Sequence, residues 1–291
     1  MRCTKPIRLN HLNHIEYPDG LLVPCGKCLA CRIARRQEWS MRCLHELSQF
    51  DKAVFVTLTY DNEHLPPFGS LVLADLQKFY KRLRKEVTKV YGSSYKIRHY
   101  SCGEYGDNFG RPHYHAIIFG LGLIPSDKDM IRWKWSHGSV FFGTVTPDSI
   151  SYVCQYIDKK YTGDKANEEY TAKNRAPIFK ICSLGIGRAY LEQNKEQMIE
   201  MGYCTVGGRV HSFPRYYLEK LGVDMIEYRN DAKFRAAEAY EEATGLNIDP
   251  DIAYRVRPAD EVRSYQVCEK QKREQKEINQ NARIAVKRRK L

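Results

Sequence analysis

No stretch of the chain approaches the ~20 consecutive apolar residues of a membrane-crossing helix, so a helical membrane protein is not expected. The opening Met1-Arg2-Cys3-Thr4-Lys5-Pro6 lacks the continuous apolar core of a signal peptide, and the expectation is a soluble protein working inside a cell. Internal repeats are absent, which argues against a solenoid or array. Acidic residues are the minority charge: 35 Asp+Glu face 47 Lys+Arg, a formal net charge of +12 over 291 residues. Such a balance predicts a polyanionic partner and salt-sensitive association, without separating DNA from RNA or an acidic membrane surface. Cysteine is not scarce. Ten cysteines without a secretory signal read as reduced thiols or metal ligands rather than disulfides.

What is present centres on Arg111-Pro112-His113-Tyr114-His115-Ala116-Ile117-Ile118-Phe119. Two histidines at i and i+2 head an apolar, β-branched run that reads as a strand. Side chains two apart on a strand share a face, about 6.6 Å apart at ~3.3 Å rise per residue, a gap one metal ion can bridge. Two satisfied strand histidines are the ordinary alternative. Upstream, Ile97–Glu104 has strand character and Tyr105–Gly110 carries the Gly, Asp and Asn of a turn. A hairpin turning near Asp107 and Asn108 sets Glu104 opposite or nearly opposite His113, and Cys102 near His115. Two imidazoles and a carboxylate make a three-ligand site suited to Mg²⁺ or Mn²⁺. Because a one-residue slip turns Glu104 away, Cys102 is the fallback third ligand.

A helix start at Thr146-Pro147-Asp148 leads into a segment bearing Tyr152 and Tyr156, i and i+4 on one face. Two phenols so placed can present in turn to one reacting phosphate. Lys159 and Lys160 lie within reach to bias a phenol toward phenolate. An amphipathic helix packing two aromatics is the competing reading, since twenty tyrosines make such pairs common.

Cys25-x-x-Cys28-x-x-Cys31 is a second candidate metal site, with zinc closed by Cys3 or Cys43 as the fourth ligand. Packed free thiols and, more remotely, an iron–sulfur cluster are the other readings, and Arg35 stands where the usual cluster run would carry cysteine.

The predicted order is helix 26–50, strand 53–60, a basic helix 71–90, strands near 95–104 and 112–120, helix 126–134, strand 139–145 and the tyrosine helix 147–160. That order predicts an α+β fold: a ferredoxin-like antiparallel sheet, the tyrosine helix lying across it, with mostly helical extensions. Residues 1–50 read as a cysteine-rich, basic, helical segment. Residues 51–222 read as the catalytic domain with an accessory C-terminal part, including a surface loop at 162–177. Residues 223–291 read as a helical, basic, partly disordered tail, in which 224–245 is a helix. The terminal Lys287-Arg288-Arg289-Lys290 is either a solvated tail or an electrostatic anchor for DNA. Aromatics interleaved with basic residues, as in Lys78-Phe79-Tyr80-Lys81-Arg82 and Arg215-Tyr216-Tyr217, suit an unpaired strand, although most are expected in the core.

Taken together, Phe55-Val56-Thr57-Leu58-Thr59-Tyr60, Gly103-Glu104-Tyr105-Gly106, Arg111-Pro112-His113-Tyr114-His115 and Tyr152-x-x-x-Tyr156 resemble the HUH-type single-strand DNA endonucleases. More closely, the chain resembles the gokushovirus-type rolling-circle initiators of microviruses, over most of residues 20–220. The cysteine-rich start, Gly185-Ile186-Gly187 and Phe213-Pro214-Arg215-Tyr216-Tyr217 share in it. The resemblance implies a divalent metal on His113, His115 and Glu104. It implies a tyrosine that nicks the origin, a 5′-phosphotyrosyl intermediate, and rejoining at the same site. It also implies partners: single-stranded phage DNA, the replicative-form origin, and the host helicase and polymerase, all in the host bacterial cytoplasm. The wider group often carries Lys between the two tyrosines where this chain has Gln155, which passes that role to Lys159 or Lys160. Arg111 and Lys160 are the basic residues expected on DNA, and Thr57 and Thr59 are expected to contact DNA or support the metal. A non-catalytic nucleic-acid-binding module with structural zinc is the alternative.

Overall fold

The computed structural model describes residues 3–10, 21–106, 109–156, 161, 163–206, 209–245 and 247–250. In chain order the elements are β1 (Ile7–Leu9), β2 (Leu21–Val23), α1 (Leu29–Leu47), β3 (Ala53–Tyr60), α2 (Leu73–Tyr91), β4 (Arg98–Tyr105), β5 (Pro112–Phe119), α3 (Pro125–Trp135), β6 (Gly138–Gly143) and α4 (Pro147–Gln155). They continue as α5 (Asp164–Ala166), β7 (Phe179–Cys182), α6 (Arg188–Gln193), α7 (Lys195–Met201), β8 (Cys204–Val206), β9 (Arg209–His211), α8 (Arg215–Leu221) and α9 (Met225–Thr244). Two compact units result: Arg32–Gln193, and Met1–Cys31 with Asn194–Leu291. Compared with the expected divisions at 50 and 222, the first unit begins inside α1 and ends at α6.

Residues 32–193 are built on a five-stranded sheet in the order β6-β3-β5-β4-β7, antiparallel at every pairing. The first four strands reproduce the split βαβ arrangement of a ferredoxin-like sheet, in which β5 lies between β3 and β4. Alternation along β3 explains both faces. Val54, Val56, Leu58 and Tyr60 point into one core, while Phe55, Thr57 and Thr59 point the other way. The first core is closed by α2, whose Leu76, Phe79, Tyr80, Leu83 and Val87 recur at helical spacing, and by Met130, Ile131 and Trp135 of α3. Burying such a stripe is worth roughly 1.5–3 kcal/mol per large apolar side chain.

The opposite face is covered by α1, through Trp39, Cys43, Leu44 and Leu47, and by α4, through Ile150, Val153 and Cys154. Two differences from the sequence reading belong here. The segment 162–177 is not a plain surface loop: residues 164–171 are helical, and Tyr170 is buried in the first core. Tyr105 Oη donates to Ala176 O at 2.7 Å, and Ala176 N donates to Ser70 Oγ at 2.9 Å, which ties the segment down. It then feeds β7, a fifth strand that pairs with β4 and that local periodicity did not reveal.

The other unit holds the β1–β2 ladder, a β8–β9 ladder and helices α7 to α9. Phe213, Tyr217 and Leu218 are buried there, and Tyr228 Oη accepts from Phe213 N at 2.9 Å and donates to Gly202 O at 3.1 Å. Helix α9 matches the expectation for 224–245. The basic terminus at 287–290 lies outside the described residues. Among the described residues no helix is long and apolar enough to cross a membrane.

Candidate active site

Strands β4 and β5 pair with Glu104 opposite His113 and Cys102 opposite His115, while β3 sets Thr57 opposite His115 and Thr59 opposite His113. Cross-strand partners share a face, so these six side chains converge on the face beneath α4. Tyr114 projects to the other side, where its hydroxyl meets Tyr60 Oη at 2.9 Å and accepts from Val72 N at 2.8 Å. Tyr60 Oη in turn donates to Asp75 Oδ2 at 2.9 Å. This buried network holds the strand between the two histidines from behind.

Each imidazole is gripped through its Nδ1. Thr57 Oγ1 lies 2.9 Å from Nδ1 of His115, and Thr59 Oγ1 lies 3.1 Å from Nδ1 of His113. A hydroxyl both donates and accepts, so the same contact supports either tautomer and leaves Nε2 facing the site. Nε2 of His115 lies 2.9 Å from Glu104 Oε1, and both side chains are buried. Two neighbouring ligands of an octahedral ion at ~2.1 Å are separated by about 3 Å, so this pair has the spacing of a shared Mg²⁺ or Mn²⁺. His113 is half-buried, and that burial, followed by the His115 charge, lowers its pKa and keeps it a neutral, ligand-competent imidazole. Gly106 makes the necessary room, because a Cβ there would come within 2.8 Å of His113 Nε2. The donor set fits the divalent ion that the resemblance implies.

Helix α4 begins at a capping box in which Thr146 Oγ1 accepts from Ser149 N and Ser149 Oγ accepts from Thr146 N. Ile150, Val153 and Cys154 bury toward the sheet, which sets Tyr152 and Tyr156 over His115. The Tyr156 ring stacks on His115 at 4.6 Å between centroids, and Tyr152 meets the same imidazole edge-on at 5.6 Å. The two phenol rings are 5.1 Å apart. Tyr156 is 1% exposed, whereas Tyr152 is only half-buried. Burial, then the Glu104 charge and a hydrogen bond with the Tyr152 phenol, push the Tyr156 pKa far above that of a free phenol.

The remaining candidates fall elsewhere. Cys102 lies under α4, with Sγ 3.6 Å from Val153 O, and not among the metal-facing atoms. Arg111 directs Nε and Nη2 at Tyr60 O (3.1 and 2.7 Å) and Nη1 at Asn62 Oδ1 (3.0 Å), clamping the end of β3 to the start of β5. Lys159 and Lys160 lie outside the described residues. In the other unit Cys25, Cys28 and Cys31 cluster with Cys3. Cys43 is wholly buried on the sheet face next to Cys154 and plays no part in that cluster.

Two residues on the site face escaped the sequence reading. Phe141, opposite Thr57 on the edge strand β6, is 64% exposed; Lys180, opposite Cys102 on β7, has Nζ 3.4 Å from the Trp39 ring centroid and a pKa lowered by burial. The alternation of Ser139, Phe141 and Gly143 was the available signal for the first. A four-residue strand following an irregular segment offered none for the second.

A family model of phage replication-associated proteins, the ORF2 family, matches residues 53–161, from the first residue of β3 to just beyond the tyrosine helix. Replication-associated protein VP4 of Bdellovibrio phage phiMH2K is 32% identical over 249 residues, covering 75% of this chain and 76% of the relative. The chain belongs to the phage replication-associated proteins. Within them it is of the gokushovirus type, as two further relatives agree. Replication-associated protein ORF2 of Spiroplasma virus 4 is 30% identical over 260 residues, covering 75% of this chain and 79% of the relative. Replication-associated protein ORF4 of Chlamydia phage 1 is 29% identical over 219 residues, covering 68% of this chain and 53% of the relative. No solved structure matches the chain.

Proposed function

We propose that this protein initiates and terminates rolling-circle replication of a small phage genome as an HUH-type nicking and joining enzyme. The observation that carries the proposal is the packing of two phenols against one imidazole, which itself contacts a buried carboxylate. A satisfied core histidine does not require that company.

His113, His115 and Glu104 would hold a Mg²⁺ or Mn²⁺ ion, which when bound polarises a phosphate oxygen and stabilises the leaving alkoxide. The chain's own groups do the rest. Thr57 and Thr59 fix the imidazoles, and His113, lowered in pKa, is neutral at physiological pH. A phenol with an ordinary pKa near ~10 is a weak nucleophile at neutral pH, and Lys159, with Lys160, supplies the positive charge that favours phenolate. The tyrosine oxygen bonds to phosphorus and the bond from phosphorus to the 3′ oxygen breaks. The phenol gives up its proton and the 3′ oxygen gains one, leaving a 5′-phosphotyrosyl link and a free 3′-OH. Reversal by that or another 3′-OH rejoins the strand, because the phosphodiester energy is conserved in the link. The second tyrosine allows one 5′ end to be held while the next is cut.

Phe141 offers an exposed aromatic ring one residue pair from His115 across the sheet, suited to a base of the unpaired strand. Arg111 and Lys160 add positive charge for the phosphates. The substrate in this reading is single-stranded phage DNA and the replicative-form origin, in the host bacterial cytoplasm, with the host helicase and polymerase acting on the exposed 3′-OH. The cysteine cluster takes no part in strand transfer.

The test is incubation of the protein with Mn²⁺ or Mg²⁺ and 3′-labelled single-stranded DNA, or supercoiled DNA, carrying the phage origin. The expected product is a labelled, protease-sensitive band that survives SDS and boiling and is missing from the Tyr152→Phe/Tyr156→Phe double variant. Cleavage retained by that variant, or tight binding to both substrates with no adduct, overturns the proposal in favour of a binding module.

A further inference from the structure

The sulfur atoms of Cys3, Cys25, Cys28 and Cys31 all lie within 4.8 Å of one another. We infer that they form a tetrathiolate zinc site that staples the amino-terminal strand to the start of α1.

The local sequence builds the site from two directions. β1 and β2 pair with Ile7 opposite Val23, an antiparallel offset that carries residue 3 level with residue 27 when continued outward. Cys3 is thereby brought to a turn 22 residues further along the chain, where Cys25 N donates to its sulfur at 3.2 Å. That turn is Cys25-Gly26-Lys27-Cys28. Gly26 adopts φ 71°, in the left-handed region that favours glycine, and lets the chain fold back around a single sulfur. Lys27 N and Cys28 N both donate to Cys25 Sγ, at 3.4 and 3.3 Å. Cys31 follows in the first turn of α1 and adds the fourth sulfur from the helical side.

Three observations separate a metal site from four packed thiols. The first is spacing. Four sulfurs around zinc at ~2.3 Å stand about 3.8 Å apart along each edge of the tetrahedron, and Cys28 Sγ and Cys3 Sγ are 3.7 Å apart. A disulfide would need ~2.05 Å, and all described cysteines are free. The second is the direction of the backbone, which turns N–H groups toward the sulfurs; a thiol has little use for several donors, whereas a thiolate does. Cys28 also receives hydrogen bonds from the side chain and backbone of Thr4 and from the Cys31 backbone. Those bonds outweigh its burial and lower its pKa to about 6, so one ligand is already largely deprotonated at neutral pH. The third is position: the amino end of the 19-residue helix α1 carries positive dipole charge toward a centre of net negative charge. Four sulfurs in a tetrahedron select zinc or iron, and a single ion, not a multi-iron cluster, fits between sulfurs this close.

Such a site explains how a three-residue ladder persists at the amino end of the chain, where short hairpins have marginal stability alone. It lies outside residues 53–161 matched by the family model, so it is an addition to the nuclease body and not part of it.

Elemental analysis of the full-length protein, purified without chelator, tests the inference independently of any DNA cleavage. The expected result is one zinc per chain. On replacement by Co²⁺, sulfur-to-metal charge transfer and intense tetrahedral d–d bands should appear. Cys3→Ser should lose its metal at a chelator concentration that leaves the parent loaded, and Cys43→Ser should behave as the parent. If the serine variants do not fold, the zinc content, the cobalt spectrum and the protection of four thiols from alkylation, released by chelator, still decide the matter on the unaltered chain. A metal-free protein with four freely alkylated thiols, an iron-loaded protein, a disulfide among the four, or zinc retention unaffected by Cys3→Ser would each overturn the inference.

Discussion

The ring of Tyr156 lies flat against that of His115, 3° from parallel and 4.6 Å between centroids. Tyr152, one helical turn earlier, touches the same imidazole by its edge and is the more exposed of the two phenols. On the proposed chemistry Tyr152 therefore makes the first cut. Tyr152→Phe should lower single-strand cleavage by on the order of 10³-fold, as removal of a nucleophile does. Tyr156→Phe should still form one covalent adduct but fail to complete the second transfer that releases a circle. Adduct formation scored on origin oligonucleotides, beside circle formation on supercoiled DNA, separates the steps; equal loss of the first adduct in both variants would refute the ordering.

The two threonines are positioning residues for the imidazoles. Thr57→Val and Thr59→Val keep the side-chain shape and remove the hydroxyl that holds each Nδ1. Each should weaken Mn²⁺ affinity by about 10–100-fold, the usual cost of losing an outer-sphere partner, with little effect on thermal unfolding. Calorimetric titration with Mn²⁺ reads this directly, and cleavage should recover at high metal concentration.

Tyr114 tests the support behind the site. Its hydroxyl joins Tyr60, Asp75 and the Val72 backbone in a buried network. Tyr114→Phe leaves those partners short of one bond, at a cost of roughly 1–3 kcal/mol. A lowered unfolding midpoint in urea with an unchanged slope is the expected outcome.

Acid should destabilise the sheet unit through two histidines. Burial lowers His99 to about 3, where it stacks on Tyr80 at 3.6 Å, and lowers His45 to about 4, where it stacks on Tyr190 at 3.9 Å. Both are neutral when folded and take a proton near ~6.5 when unfolded, so the unfolded state binds more protons below that pH. Stability is then fully present above ~6.5 and falls by up to ~1.4 kcal/mol per histidine per pH unit below it, until each folded pKa is reached. Denaturant titrations at pH 7 and pH 5 should show this loss, and a smaller one in His99→Gln.

Much of the site was legible because it rests on local patterns. Parity along a strand put His113 and His115 on one face, the Gly-rich turn aligned Glu104 with His113, and helical spacing paired the tyrosines. What could not be read depends on contacts distant in sequence. Nothing near Cys3 distinguishes it from Cys43 as a partner for Cys25; only the β1–β2 ladder decides. The packing of α1 on the site face and the edge strand β7 likewise depend on tertiary contacts that periodicity does not encode. The 162–177 segment looked like a loop from its polar composition, yet a single buried tyrosine, Tyr170, holds it.

Residues 57, 59, 102, 104, 113 and 115 come from three neighbouring strands and occupy one side of a sheet whose side chains alternate. Losing or gaining one residue inside any of these strands would turn that strand's whole contribution to the other side at once. Variation among descendants of this chain can therefore exchange side chains along β3, β4 and β5, but length changes must be confined to the turns, or a new bulge must restore the parity.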